Sequence, residues 1–250
     1  MHSPLLEIKN LTKRYGDFYA NTDISFDVDA GTIHGVIGPN GAGKTTLFNC
    51  LAGTVPASSG NIIFDGKAIE GMGQYERPRL GIGRSFQVTS LFSDLSVEEN
   101  LRLAGQALDT KKGFVFWHAV HNSPDETAQI DQVLERITLT AEKELLASAL
   151  SHGQQRLLEV GMALMAKPKI LLLDEPTSGM GIDDVPAMTN LLGALRKECT
   201  ILLIEHNVGL VTKVCDTVTV MHGGKVLTSG TPAEISENEE VKTAYLGEEI

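Results

Sequence analysis

GPNGAGKT, residues 38–45, is the stretch that determines the fold of this chain. The apolar run TIHGVIG, which ends at Gly38, predicts a buried strand, and TTLFNCLAG after it has the apolar spacing of a helix. A strand, a glycine-rich turn and a helix N-terminus in this order bind phosphate, because backbone N–H groups and the positive helix end point at the anion. The sequence therefore predicts that the chain binds a nucleoside triphosphate.

The residue types of this loop have separate predicted roles. The glycines let the backbone approach the phosphates closely, Lys44 is expected to reach the β- and γ-phosphates, and the Thr45 hydroxyl is expected to bind Mg²⁺. The predicted nucleotide contacts from this stretch are Gly38, Pro39, Asn40, Gly41, Ala42, Gly43, Lys44, Thr45 and Thr46.

A second acidic element follows in ILLLDE, where an apolar strand ends in Asp174 and Glu175. A buried strand of this kind can deliver Asp174 to a magnesium site, and Glu175 can polarise the attacking water as a general base. The alternative is a pair of solvated acids at a strand end. The phosphate loop upstream favours the catalytic interpretation.

Composition limits the function classes further. The chain has 250 residues and a net charge of −11, without a lysine- or arginine-rich stripe, which argues against a nucleic-acid-binding protein. Its longest apolar runs, such as ILLL at 170–173, are strand-sized rather than the 18 or more residues of a membrane-spanning helix. MHSPLLEIKN at the N-terminus lacks the features of a signal peptide, so a cytoplasmic location is expected.

The order of patterns along the chain predicts an α/β protein. Alternating strands at LLEIKNL and ISFDVDA indicate an antiparallel β-rich start, and apolar strands that alternate with helices after residue 166 indicate a parallel sheet. Helical spacing and the capping boxes Ser96–Glu99 and Ser123–Glu126 predict a helical insertion. We therefore expect one domain over 1–250, with a core from 1–94 and 166–250 and a helical subdomain from 95–165.

Together, GPNGAGKTT, Gln87, LSHGQQ, ILLLDEP, SGMG and the IEH that ends at His206 resemble the ATP-binding subunit of an ABC transporter, over essentially the whole chain. The resemblance implies a P-loop NTPase (RecA-like) parallel-sheet core, an antiparallel β subdomain and a helical insertion subdomain. It also implies ATP hydrolysis with Mg²⁺.

The resemblance assigns roles to further residues. Tyr15 is expected to stack on adenine, Gln87 to contact Mg²⁺ and the permease, and His206 to touch the γ-phosphate. The signature motif matches Leu150–Gln154 and implies that Ser151, His152, Gly153 and Gln154 contact a partner chain's nucleotide. His152 replaces a glycine of the usual signature, and Gly181 stands where the D-loop, residues 178–181, usually has a polar residue.

The resemblance also implies partners. A head-to-tail homo- or heterodimer with a second ABC ATPase chain would enclose two ATP and two Mg²⁺, at the cytoplasmic face of the inner membrane. Integral-membrane permease subunits would dock near Val88–Leu95 and the 111–120 segment, and a substrate-binding protein would act indirectly. Phe114, Phe116 and Trp117 are either contacts for the permease or the insertion's own core.

The cargo is predicted from three features: the long insertion, LSHGQQRLLEVGMALM, and the C-terminal GTPAEISENEEVKTAYLGEEI. They resemble the subunits for branched-chain (hydrophobic) amino acid uptake. Urea or amide importers and a lipopolysaccharide-export ATPase share parts of the pattern and remain alternatives. A soluble ABC ATPase of DNA repair or translation is disfavoured by the acidic charge, and a GTPase by the lack of an N-K-x-D segment.

Overall fold

A six-stranded sheet forms the centre of the described residues, which in the computed structural model are 4–84, 91–106 and 124–246. Its strands are β3 (Ile33–Ile37), β6 (Ile82–Arg84), β7 (Ile170–Asp174), β8 (Thr200–Ile204), β9 (Thr217–His222) and β10 (Lys225–Gly230). Their order is β10-β9-β3-β8-β7-β6, and all neighbouring pairs are parallel except β9 with β10. The carboxyl ends of β3, β7 and β8 therefore lie at one edge.

A smaller antiparallel sheet covers one face of the central sheet. It contains β1 (Leu6–Tyr15), β2 (Phe18–Val28), β4 (Ser59–Phe64) and the short β5 (Lys67–Ala68), in the order β2-β1-β4-β5. Both sheets were expected from the alternation and the apolar runs of the sequence. The structure confirms the predicted α/β class with a parallel core and an antiparallel β element.

The central strands β3, β7 and β8 are mostly apolar because both of their faces are covered. In β8, Leu202 and Ile204 pack with the small sheet and α1 (Lys44–Ala52), whereas Ile201 and Leu203 pack with the other helices. Those helices are α2 (Val97–Gln106), α3 (Pro124–Arg136), α4 (His152–Leu164), α5 (Val185–Leu195), α6 (Val208–Val214), α7 (Pro232–Glu237) and α8 (Glu239–Leu246).

Helix starts follow the predicted capping chemistry where the structure describes them. Ser96 Oγ accepts from the Glu99 N–H at 3.1 Å, and Glu99 Oε2 accepts from the Ser96 N–H at 2.8 Å. The second predicted box, at 123–126, begins outside the described residues. The sequence did not predict β6, because GIGR is short, contains two glycines and has no period. In the described part of the chain, no helix has both the length and the apolar character needed to cross a membrane.

Candidate ATP-binding and hydrolysis site

The phosphate loop joins the end of β3 to the start of α1. Gly43 is the N-cap of α1 with a φ of 96°, and a Cβ there would lie 2.5 Å from the Ala20 carbonyl oxygen. Only glycine fits both this φ and this close approach. The first intrahelical bond runs from the Leu47 N–H to the Gly43 carbonyl at 3.0 Å. The N–H groups of Thr45 and Thr46 precede that bond and have no helical acceptor, so they suit an anion.

Lys44 is the first residue of α1 and is 5% exposed. Its Nζ donates to the carbonyl oxygens of Gly38 at 2.6 Å and Pro39 at 2.9 Å. These bonds hold the ammonium group over the loop. The role of Lys44 as a phosphate contact stays a prediction.

A cavity of about 410 Å³ opens at the phosphate loop, and its volume is in the range of small-molecule sites. Residues from five places in the sequence line it: Phe18, Tyr19, Ala20, Asn40, Gly41, Ala42, Gly43, Lys44, Thr45, Thr46, Glu175, His206, Gly223 and Gly224. The structure thus brings the loop, Glu175 and His206 together.

Asp174 ends β7, opposite Ile204 of β8, and is 3% exposed. Neither of its carboxylate oxygens has a hydrogen-bond partner among the described residues. Burial raises the pKa of Asp174, and the Arg84 guanidinium opposes that effect. A buried carboxylate without a donor is costly unless a cation compensates it. The carboxylate oxygens of Asp174 and the hydroxyl oxygen of Thr45 suit Mg²⁺ as ligands, because this ion prefers oxygen.

Glu175 and His206 are paired at the ends of neighbouring strands. Glu175 Oε1 lies 2.8 Å from His206 Nε2. Glu175 has a φ of 51°, which is unusual for a residue with a side chain, and its N–H donates to the Ile204 carbonyl at 2.9 Å. A left-handed residue at a functional site turns the chain sharply and aims the side chain. The pair can therefore accept a proton beside the loop that binds phosphate.

The signature residues lie elsewhere. Ser151 is the N-cap of α4 and forms a capping box with Gln154, while Ser151 and His152 are exposed. A Cβ on Gly153 would lie 2.4 Å from Asp184 Oδ2, so a side chain there would collide with Asp184. None of these four residues lines the cavity at the chain's own phosphate loop. The structure does not bring them together with Lys44.

The remaining predicted contacts have different outcomes. Tyr15 is 48% exposed, has the Lys13 ammonium 4.7 Å from its ring centroid, and does not line the cavity. Phe18 and Tyr19 do line it, and they were missed by the sequence analysis. In the β1–β2 hairpin Phe18 pairs with Tyr15 and Tyr19 pairs with Arg14, and the local pattern does not indicate which of these rings faces the cavity. Gln87, with Phe114, Phe116 and Trp117, lies outside the described residues.

The chain matches two family models. The model described as ABC transporter matches residues 21–178, and that described as branched-chain amino acid ATP-binding cassette transporter matches 225–250. The chain is similar to the branched-chain amino acid transport ATP-binding protein BraF of Pseudomonas aeruginosa, with 38% identity over 99% of this chain and 100% of BraF. It is 37% identical to LivG of Escherichia coli K12 over 99% of this chain and 100% of LivG.

More distant sequence similarity and the solved structures agree with this result. The lipopolysaccharide export ATP-binding protein LptB of Escherichia coli K12 is 35% identical over 98% of both chains. The ADP conformation of MJ1267, an ATP-binding cassette of an ABC transporter, superposes with a TM-score of 0.88 at 30% identity and covers 98% of this chain and 100% of its own. The chain therefore belongs to the ATP-binding cassette proteins of ABC transporters.

Proposed function

We propose that this chain is the ATP-hydrolysing subunit of an importer of branched-chain amino acids. The observation that carries the hydrolytic part is the placement of Asp174 and the Glu175–His206 pair at the sheet edge that holds the phosphate loop. The full-length similarity to BraF and LivG and the family match at 225–250 support the cargo.

Glu175 is the proposed general base. It takes a proton from water while the water oxygen forms a bond to the γ-phosphorus of ATP, and the bond between that phosphorus and the bridging oxygen breaks to give ADP and phosphate. His206 holds the Glu175 carboxylate at 2.8 Å and contacts the γ-phosphate. Lys44 and the N–H groups of Thr45 and Thr46 bind the phosphate charge.

Thr45, Asp174 and Gln87 would hold Mg²⁺. When bound, the ion neutralises charge on the phosphate oxygens. The two oxygens of Asp174 support this assignment, since both are buried and neither accepts a hydrogen bond from the described residues.

A complete site is proposed to need two chains. Ser151, His152, Gly153 and Gln154 do not line the chain's own cavity, yet the start of α4 offers N–H groups that suit phosphate. A second ATPase chain, identical or related, would supply these residues in a head-to-tail dimer.

A second, largely apolar groove of about 830 Å³ supports docking of membrane-embedded permease subunits. Tyr75, Phe92 and Leu103 are exposed aromatic or aliphatic side chains along it, and Met162 of α4 forms part of its wall. Phe92 belongs to the segment that the sequence predicted for docking. Residues of both the proposed core, 1–94 and 166–250, and the proposed helical subdomain, 95–165, line the groove. Docking there would give the chain a peripheral place at the cytoplasmic face of the inner membrane.

The test of hydrolysis compares the purified chain with its Glu175→Gln and Glu240→Gln variants. Glu175→Gln is expected to lower the rate of phosphate release by roughly a hundredfold or more, because a general base is lost. It should also accumulate an ATP-bound dimer on size-exclusion chromatography. Glu240 is exposed on α8 and serves as the control. Equal rates for all three proteins, or a monomer at saturating ATP, would contradict the proposal.

Lipopolysaccharide export is the second candidate, favoured by the 35% identity to LptB over nearly the whole chain. Proteoliposomes with the native permease subunits and a binding protein separate the two functions. Stimulation of ATP hydrolysis by leucine supports the amino acid importer. Stimulation by urea or by lipopolysaccharide, without a response to leucine, would assign the cargo to one of the alternatives.

A further inference from the structure

Glu205 is a buried carboxylate that follows β8 directly and precedes His206. It is 2% exposed and accepts four hydrogen bonds. It does not line the cavity at the phosphate loop, so it does not face the nucleotide. Four donors around one buried carboxylate satisfy its acceptor capacity and fix its orientation.

The two carboxylate oxygens of Glu205 accept hydrogen bonds from two different loops. Oε1 accepts from the backbone N–H of Thr177 at 3.0 Å and from the Thr177 hydroxyl at 2.5 Å. Oε2 accepts from the backbone N–H groups of His206 at 2.9 Å and Asn207 at 3.1 Å. Thr177 lies in the turn after β7, and the other two residues begin the loop after β8. One side chain therefore ties the two loops together.

These two loops carry the two members of the Glu175–His206 pair. The turn after β7 starts at Glu175, whose carbonyl accepts from the Ser178 N–H at 3.0 Å and so closes the turn around Thr177. The loop after β8 carries His206, the residue next to Glu205. Because each oxygen anchors a residue within two positions of one partner, a shift of the Glu205 carboxylate would change the distance between Glu175 and His206.

On the basis of the ATPase function proposed above, we propose that Glu205 is a positioning residue that sets the geometry of the Glu175–His206 pair. It acts through the two loops and not by contact with ATP. The Glu205 carboxylate holds the general base in reach of its histidine partner before nucleotide binds. Such preorganisation is effective because small displacements of reacting groups cost large factors in rate.

Glu205→Gln tests this role with almost no change in volume. An amide has one acceptor oxygen and one NH₂ group. The NH₂ group would therefore lie against the N–H or O–H donors of one of the two loops, which would lose their acceptor. The expected result is a fall in kcat of about tenfold to a hundredfold, since about 1 Å of misplacement can cost a hundredfold. ATP affinity is expected to stay within about threefold, because the phosphate loop is untouched.

The matched control is Asp216→Asn. The Asp216 carboxylate accepts from the Ile33 N–H at 2.9 Å and pairs with Arg196, at the opposite end of the same sheet. Its carboxylate binds a backbone N–H group as that of Glu205 does, but it lies away from the Glu175–His206 pair. Its variant is expected to lose stability and to keep the kcat of the unmodified chain.

A double-mutant cycle with His206→Ala separates positioning from general support of the fold. Without the imidazole there is no pair to align, so Glu205→Gln should lower the residual kcat by less than about threefold. Equal losses in both backgrounds, an unchanged kcat in the single variant, or a loss of ATP affinity as large as the loss of kcat would overturn the proposal.

Thr177→Val and Thr177→Ser provide the same test if Glu205→Gln does not fold. Valine removes the hydroxyl bond to Oε1, and serine retains it. The proposal requires a lower kcat for valine that serine restores, and it is overturned if valine matches the unmodified chain. Failure of the ATPase function is seen separately, as absent hydrolysis by the unmodified chain.

Discussion

The carboxyl ends of β7 and β8 each carry a buried carboxylate, and the two carboxylates differ in their hydrogen bonds. Asp174 and Glu205 are 3% and 2% exposed, at the ends of neighbouring parallel strands. Glu205 accepts four hydrogen bonds, whereas no donor from the described residues reaches either oxygen of Asp174. Burial alone therefore does not distinguish a ligand from a structural group. The hydrogen-bond inventory does, since a native fold retains an orphaned carboxylate mainly where a ligand completes it.

The largest expected effect comes from Asp174→Asn, which removes the charge from the orphaned carboxylate. We expect a loss of roughly a thousandfold in ATP hydrolysis, because the proposed metal supplies several kcal/mol of charge stabilisation. Burial raises the pKa of Asp174. At a pH above that pKa the buried carboxylate is charged, and its burial lowers the stability of the folded state. The free energy of unfolding at pH 7 should therefore stay level or rise.

Urea unfolding and phosphate release, measured on the same Asp174→Asn protein, check both parts. The comparison with Glu205 predicts opposite stability effects, because Glu205→Gln leaves donors unpaired at a cost of about 1–3 kcal/mol. A marked loss of stability in Asp174→Asn would show that the two carboxylates do not differ in the stated way.

His34 of β3 is a third buried titratable group in this sheet and sharpens the comparison. Its ring stacks on Phe26, and Nε2 lies 2.8 Å from the Thr219 hydroxyl. Burial lowers the pKa of His34 from 6.5 to about 4. Because the folded pKa is lowered, the stability is fully present above pH 6.5 and is lost as the pH falls toward 4, by about 3 kcal/mol.

Urea unfolding of the unmodified chain and of His34→Gln, at pH 8 and at pH 4.5, isolates this contribution from the other acids. The variant cannot gain the proton, so its stability should fall less with acid than that of the unmodified chain. Parallel pH profiles for the two proteins would rule out the histidine as the cause.

A smaller effect is expected at Asp184, whose carboxylate packs against Gly153. Gly153→Ala should cost about 1–2 kcal/mol of stability, because its Cβ would lie 2.4 Å from Asp184 Oδ2. Asp184→Gly in the same chain, which also removes the Asp184 Cβ at 2.8 Å, should restore most of the loss, and thermal unfolding of the single and double variants measures it. Additive losses would show that the two side chains do not collide.

The sequence predicted those parts of the fold and site that depend on residues close together in the sequence. β7 and β8 are recognisable because each is a short apolar run, and Asp174 and Glu175 follow directly from such a run. Glu205 has the same sequence context, but its role depends on Thr177, 28 residues away. Phe18 and Tyr19 join the cavity only because β2 returns along β1. Contacts between distant segments have no signature in the local pattern.

The left-handed backbone at Glu175 limits how this sequence can change. A side chain at a φ of 51° costs about 1–2 kcal/mol that glycine does not incur. Glu175→Gly should therefore give a protein of equal or greater stability, visible as an unchanged or higher midpoint in thermal unfolding, and one without the proposed general base. A single nucleotide change converts a glutamate codon into a glycine codon. Selection for folding alone would let this residue drift, so its retention in a population would depend on the activity.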